Sequence, residues 1–390
     1  MITRRQFLVT STAVIASQLL SSCSNPTETL NVIMLQNSIP TQLVGAFRKT
    51  LANNAPIKFK PESQLRRIFN FLKTWKNPKK PENWGLEQVK KLWNRSPKQA
   101  DLVTLGNSWL KNAIAENLIQ PLDISKLAGW ANLNPRFQQL VTQDGKIYAA
   151  PYRWGNTVIA YRKDKFEEFN QGKSEKLVIN DWSDLWRPEL AGKISLLDNY
   201  REIIGLTLKK LGYSYNSSDL AAIPNLESEL QALQQQVKFY SSTKYLQPLS
   251  LGDTWVAVGW STDILPLVRR NPDKIDVVVP ASGTALWADL WVQPNIANGI
   301  NDSVENRLES WIDFCWQDSG ASTIMLFTNG ISPVLNQGNQ EQLTKDLKNN
   351  QDFIQSSLAS FPKSDFIAPL AEETDQEYQA LWKKIRTEKV

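Results

Sequence analysis

The strongest constraint on the fold is the order in which two hydrophobic periodicities alternate along the chain. Leu30-Asn31-Val32-Ile33-Met34-Leu35 is a short apolar run of strand type, and residues 41–51 then carry Leu43, Val44, Phe47 and Leu51 at helical spacing. Strand-like runs return at 58–60 and 100–105, and 108–117 reads as a helix after the Gly106-Asn107 turn. Consecutive strands separated by helices are parallel strands joined by crossovers, so this order predicts an α/β fold with a largely parallel sheet. Further along, 146–152 and 157–161 read as two β-rich runs joined by Arg153-Trp154-Gly155-Asn156, and Asp181-Trp182-Ser183-Asp184 as a capped helix start. Strands are expected at 192–197, 256–260, 275–279 and 290–292, and helices at 202–211, 304–315, 341–350 and 375–386.

At 390 residues the chain exceeds the roughly 250–300 at which a single core stops growing, so two domains are expected. Residues 1–23 are expected to be a leader. Thr3-Arg4-Arg5-Gln6-Phe7-Leu8 is a paired-arginine start, 9–20 is a short apolar stretch diluted by Ser and Thr, and Leu20-Ser21-Ser22-Cys23 follows. The apolar stretch falls short of the roughly 20 residues that span a bilayer. Arg-Arg before Phe-Leu resembles the twin-arginine export signal, and Leu-Ser-Ser-Cys resembles the bacterial lipobox, which makes Cys23 the acylated first residue of the mature protein. These features imply a periplasmic protein tethered to a membrane by lipid, with 24–30 as a linker.

The composition removes several chemistries. There is no histidine, which takes away the usual general base, the commonest transition-metal ligand and any triad built on His. Of two cysteines, Cys23 would be acylated, so Cys315 has no intramolecular disulfide partner and reads as a buried small hydrophobe. No Asp-rich loop of EF-hand type and no phosphate-cradling glycine loop appears, so neither a metal nor a cofactor is expected. A formal net charge of +5, of which Arg4 and Arg5 belong to the leader, argues against nucleic acid as a partner. The lysine-rich stretch 73–98 reads as a solvated surface excursion, with contact to anionic headgroups as the minority reading.

Several segments, in this order, resemble the extracellular solute-binding proteins of ABC importers, in particular the spermidine/putrescine branch. They are Ala100-Asp101-Leu102-Val103, Tyr148-Ala149-Ala150-Pro151-Tyr152-Arg153-Trp154-Gly155-Asn156-Thr157, and Trp182-Ser183-Asp184-Leu185-Trp186. Leu197-Asp198-Asn199-Tyr200-Arg201-Glu202-Ile203-Ile204-Gly205-Leu206, Leu211-Gly212-Tyr213-Ser214-Tyr215-Asn216 and Gly283-Thr284-Ala285-Leu286-Trp287-Ala288-Asp289-Leu290-Trp291-Val292-Gln293-Pro294 complete the set. The resemblance implies a two-lobed periplasmic-binding-protein (type II) fold whose discontinuous lobes close on a ligand by hinge motion. Lobe one would take 31–156 and 287–335, and lobe two 157–286 and 336–390. It further implies a monomer with no enzymatic activity that hands a small cationic solute, a polyamine, to ABC permease subunits.

Such a ligand needs carboxylates at set spacing and aromatic walls between them, because ammonium groups are drawn to both. Trp287 and Asp289 flank Ala288, so on an extended segment both face one side, and the resemblance places both in the cleft. By the same resemblance Trp260 packs along the ligand and Glu202 pairs with an amine. Core packing for the two tryptophans, and capping or surface roles for the two acids, are the competing readings. Asp198 and Arg201 read as a structural pair. A family carboxylate falls on Asn199, and family aromatics fall near Leu35, Ser38, Ser108 and Ile331. With Asn199, Ser38 and Ser108 lining the site, another amine or an amino-acid-like or polar solute remains an alternative. A carboxylate-dependent hydrolase is a distant one, since glycosidases need only two acids.

Overall fold

The computed structural model describes residues 29–51, 55–77, 98–295, 299–336, 338–345, 347 and 350–387. The leader with its paired arginines and Cys23, and most of the basic stretch 73–98, lie outside the described residues.

Strand β1 (Leu30–Leu35) is followed by α1 (Thr41–Thr50), β2 (Ile57–Glu62), α2 (Leu65–Lys76), β3 (Leu102–Gly106) and α3 (Asn107–Ala115). β4 (Ala150–Arg162), β5 (Ile194–Leu196), α4 (Tyr200–Lys210), α5 (Leu226–Gln236), β6 (Val237–Tyr240), β7 (Val256–Trp260), α6 (Ser261–Arg270), β8 (Ile275–Val278) and β9 (Ala285–Pro294) build the middle. The last part is mainly helical, with α7 (Asp302–Trp316), α8 (Asp318–Thr328), α9 (Gln351–Ser360) and α10 (Glu372–Thr387). Among the described residues eleven strands join in one sheet whose main path runs β2-β1-β3-β9-β4-β7-β5-β6.

The flanks of that path are parallel, as the alternation of strand and helix predicts: β1 pairs parallel with β2 and β3, and β5 with β6 and β7. The centre is not. β9 runs antiparallel to β3 and β4, and β4 antiparallel to β7 and β8. The expected break at residues 153–156 is absent, and β4 continues through Gly155 as one strand of 13 residues. Gly155 is there for a close approach: a Cβ at this position would overlap the Trp287 ring and lie 2.6 Å from Ser261 Oγ. The first half of β4 pairs with β9 and its second half with β7 and β8, so this strand joins both halves of the molecule.

Two cores flank this seam. One gathers Leu30, Val32, Leu43, Phe47, Leu102 and Leu105 with Trp291 and Trp311. The other gathers Trp182, Leu185, Ile203, Ile204, Leu230 and Tyr378. Trp291 stacks on Tyr152 at 4.5 Å between centroids, and Trp311 meets Phe47 edge-on at 5.1 Å, so these tryptophans act as packing residues. Cys315 is fully buried beside them. Further along the chain Phe353, Ile354 and Phe361 belong to the first core, whereas Tyr378 and Ile385 of α10 belong to the second.

Candidate functional site

An open cleft of about 1320 Å³ lies over the central strands. Its floor is set by register. Across adjacent strands Asp289 faces Arg153 and Trp287 faces Gly155 on β9 and β4, and Thr157 of β4 faces Trp260 of β7. Arg153, Gly155 and Thr157 alternate along β4 and share one face, as do Trp287 and Asp289 along β9. The missing side chain at 155 lets the Trp287 ring lie down on the strand. Asn107 in the first turn of α3 holds this edge in place: its Oδ1 accepts from the Ala288 amide at 2.9 Å and its Nδ2 donates to the Ile367 carbonyl at 2.9 Å.

Glu202 comes from the first turn of α4. Its helix is anchored by buried Ile203, Ile204, Leu206 and Leu208, and a carboxylate there also suits the helix dipole. The carboxylate is 3 % exposed and held at both oxygens. Oε1 accepts from Trp260 Nε1 at 3.0 Å and Oε2 from Thr157 Oγ1 at 2.9 Å. Burial pushes its pKa above the ordinary carboxylate value, while the two hydrogen bonds pull it back. Each oxygen keeps further acceptor capacity, so the site offers a buried, oriented acid beside an indole.

Asp289 is buried too, but it is not free. Arg153 Nε donates to its Oδ2 at 2.7 Å, and the guanidinium stands 5.6 Å from the Trp287 ring centroid. Burial raises the Asp289 carboxyl and Arg153 opposes that rise. Asp263 also lines the cleft, accepting from Tyr245 Oη at 3.1 Å, with its carboxyl raised by burial and lowered by Tyr245 and by the charge of Arg153.

Of the residues expected from sequence, Glu202, Trp260, Trp287, Asp289, Asn199 and Ser108 line this one cleft. Asn199 does so while serving as the N-cap of α4, its Oδ1 accepting from the amides of Arg201 at 3.0 Å and Glu202 at 3.4 Å. Ser38 is fully buried beneath the cleft instead, donating to the Leu35 carbonyl at 2.7 Å and accepting from Tyr152 Oη at 2.8 Å. Ile331 is a core residue whose backbone bridges Trp154. The Asp198–Arg201 pairing is replaced by another: Arg201 donates to Asn216 Oδ1 at 3.0 Å and the Ala368 carbonyl at 2.9 Å, over the Tyr378 ring. Arg153 and Asp263 are the functional candidates that sequence reading passed over. For Arg153 the signal was the every-second-residue pattern Arg153, Gly155, Thr157, hidden by reading residues 153–156 as a connection.

The structure thus combines two lobes with an acid- and indole-lined cleft across its central strands. Residues 98–356 match the model of the bacterial extracellular solute-binding protein family, and the chain belongs to that family. It is 32% identical over 201 residues to the spermidine/putrescine-binding periplasmic protein of Escherichia coli K12, a match covering 52% of this chain and 55% of that one. To the putrescine-binding periplasmic protein PotF of the same organism it is 28% identical over 219 residues, 53% of this chain and 58% of that one. The chain thus spans about half the length of the curated relatives it matches. The substrate-binding protein PotD of a Streptococcus pneumoniae spermidine/putrescine ABC transporter superposes with a TM-score of 0.74 at 20% identity, over 92% of this chain and 98% of that one. That likeness establishes the type II periplasmic-binding-protein fold. Among the described residues no helix is long and apolar enough to cross a membrane.

Proposed function

We propose that this protein is the lipid-anchored solute-binding component of an ABC import system and that it captures a small aliphatic amine of the polyamine class. The observation that carries the reading is Glu202, a buried carboxylate aimed into the cleft and flanked by Trp260. An ammonium group there would favour the ionised acid, gain charge-assisted hydrogen bonds and lie against an indole face. The relatives named for spermidine and putrescine support the same class.

In this reading the lobes divide at 156/157 and 286/287, where β4 and β9 cross the seam, and both strands flex when the cleft closes. Residues 353–361 move with the first lobe, whose core they share, and α10 with the second. The working unit is a monomer that meets a permease. The Cys23 tether keeps it at the membrane, and the paired arginines select twin-arginine export. A glycosidase reading is less well supported, because Asp289, one of the two acids it would call on, is committed to Arg153.

Isothermal titration tests the proposal. Putrescine, spermidine and their singly charged derivatives are the probes, and saturable one-to-one binding of at least one of them is expected. No binding to any of these amines overturns the amine reading while leaving the fold and the family intact.

A further inference from the structure

The geometry points to a ligand with two unlike ends: an ammonium received by Glu202 and an oxygen acceptor, an amide carbonyl or a carboxylate, received by the guanidinium of Arg153. This inference rests on the amine reading above: it keeps the ammonium at Glu202 and replaces the second ammonium of a polyamine by an oxygen acceptor.

Arg153 is the basis. Its side chain is 7 % exposed, and only Nε is used, on Asp289. Nη1 and Nη2 donate to no group among the described residues, and Arg153 lines the cleft. A guanidinium carries its donors in a rigid fork and accepts nothing, so two forward-facing Nη groups ask for oxygen. One other buried donor in the same cleft agrees in kind: Trp287 Nε1 has no acceptor. An ammonium brought to this end would meet a cation already seated on Asp289 and standing over Trp287. The protein's own guanidinium therefore holds the place that a second ligand ammonium would take.

The opposite end has the opposite character. Glu202 is fixed through Thr157, two strand positions beyond Gly155, while Arg153 lies two positions before it. At about 3.3 Å per residue the two backbone sites are roughly 13 Å apart along one strand face, with Trp287 lying over the midpoint at Gly155. Anion, apolar wall and cation donors follow in line. That order matches a short methylene chain with an amine at one end and an oxygen at the other, and it disfavours a chain with ammonium groups at both ends.

Titrating the full chain with putrescine, N-acetylputrescine and 4-aminobutanoate tests this directly. At least one of the two oxygen-bearing amines is expected to bind ten times more tightly than putrescine. The arms separate the sources: preference for N-acetylputrescine assigns a neutral carbonyl, and preference for 4-aminobutanoate a carboxylate. Arg153→Met should erase that preference and raise putrescine affinity by freeing Asp289. Should that variant misfold, Arg153→Met/Asp289→Asn removes both charges and should abolish the preference. Wild-type protein that binds putrescine as tightly as either oxygen-bearing amine overturns the inference but not the amine reading, whereas failure of every amine to bind overturns both.

Discussion

At the residue scale the cleft depends on which of its buried carboxylates already has a cationic partner. Glu202 keeps its acid free for a ligand and Asp289 does not, a difference produced by one residue, Arg153. Replacing Glu202 by Gln removes the charge while the amide can still accept from Trp260 and donate to the rotatable Thr157 hydroxyl, so the fold is expected to survive. Hydrogen bonds to a charged partner contribute about 1.5–3 kcal/mol, so amine affinity should fall by roughly 10- to 150-fold in that variant. The same acid predicts a pH dependence. Its folded-state pKa is raised by burial, so the folded protein holds a proton that the unfolded chain has released, and ligand-free stability falls as pH rises from the ordinary Glu range through the raised value. Denaturant midpoints should therefore increase on acidification across that window, and less so in Glu202→Gln. Amine affinity should move the other way, weakening as the pH drops below the raised value, because the ammonium needs the ionised acid. The family resemblance made Trp287, Asp289, Trp260 and Glu202 legible as candidates, and these four do line one cleft. Ser38 was not, because a small hydroxyl carries no pattern that separates a cleft wall from a buried turn.

At the element scale the site is a product of β4. Strand-like runs at 146–152 and 157–161 were readable from β-branched and aromatic content, but Gly155 and Asn156 between them looked like a turn. Glycine in a strand interior marks a close approach, and the Trp287 ring that exploits it lies more than a hundred positions away in sequence, where local pattern cannot see it. Gly155→Ala should leave overall folding intact, push the Trp287 ring off the floor, and weaken ligand binding at least tenfold, as read by titration beside a circular-dichroism control. Gly205→Ala tests a neighbouring element. Its Cβ would run into the Tyr215 ring that packs against α4, so a loss of about 1–3 kcal/mol in stability is expected from chemical denaturation. The antiparallel centre of the sheet escaped sequence reading for a related reason: strand direction depends on which strands meet, and β9 arrives from far down the chain.

At the scale of the whole molecule, the alternation of strand and helix made the α/β class legible, and the family resemblance supplied the two-lobed arrangement. The way the C-terminal segment divides between the two cores was beyond sequence reading, since nothing local in 353–361 or 378–385 says which core its apolar residues pack on. A lipid-tethered capture protein should lose membrane association when Cys23 is replaced by Ser, with the protein recovered in the periplasmic fraction. Export of a chain carrying Arg4→Lys and Arg5→Lys should fail if the twin-arginine route is used. Ligand that binds only the folded, closed form should stabilise it by about 2.7 kcal/mol at a hundred times its Kd. The central claim is that Glu202 is the amine receptor of this cleft, and calorimetric titration of wild type against Glu202→Gln with the same amine tests it most directly. Saturable binding by the wild type and at least a tenfold loss in the variant is the predicted result; equal affinity in the two proteins would contradict it.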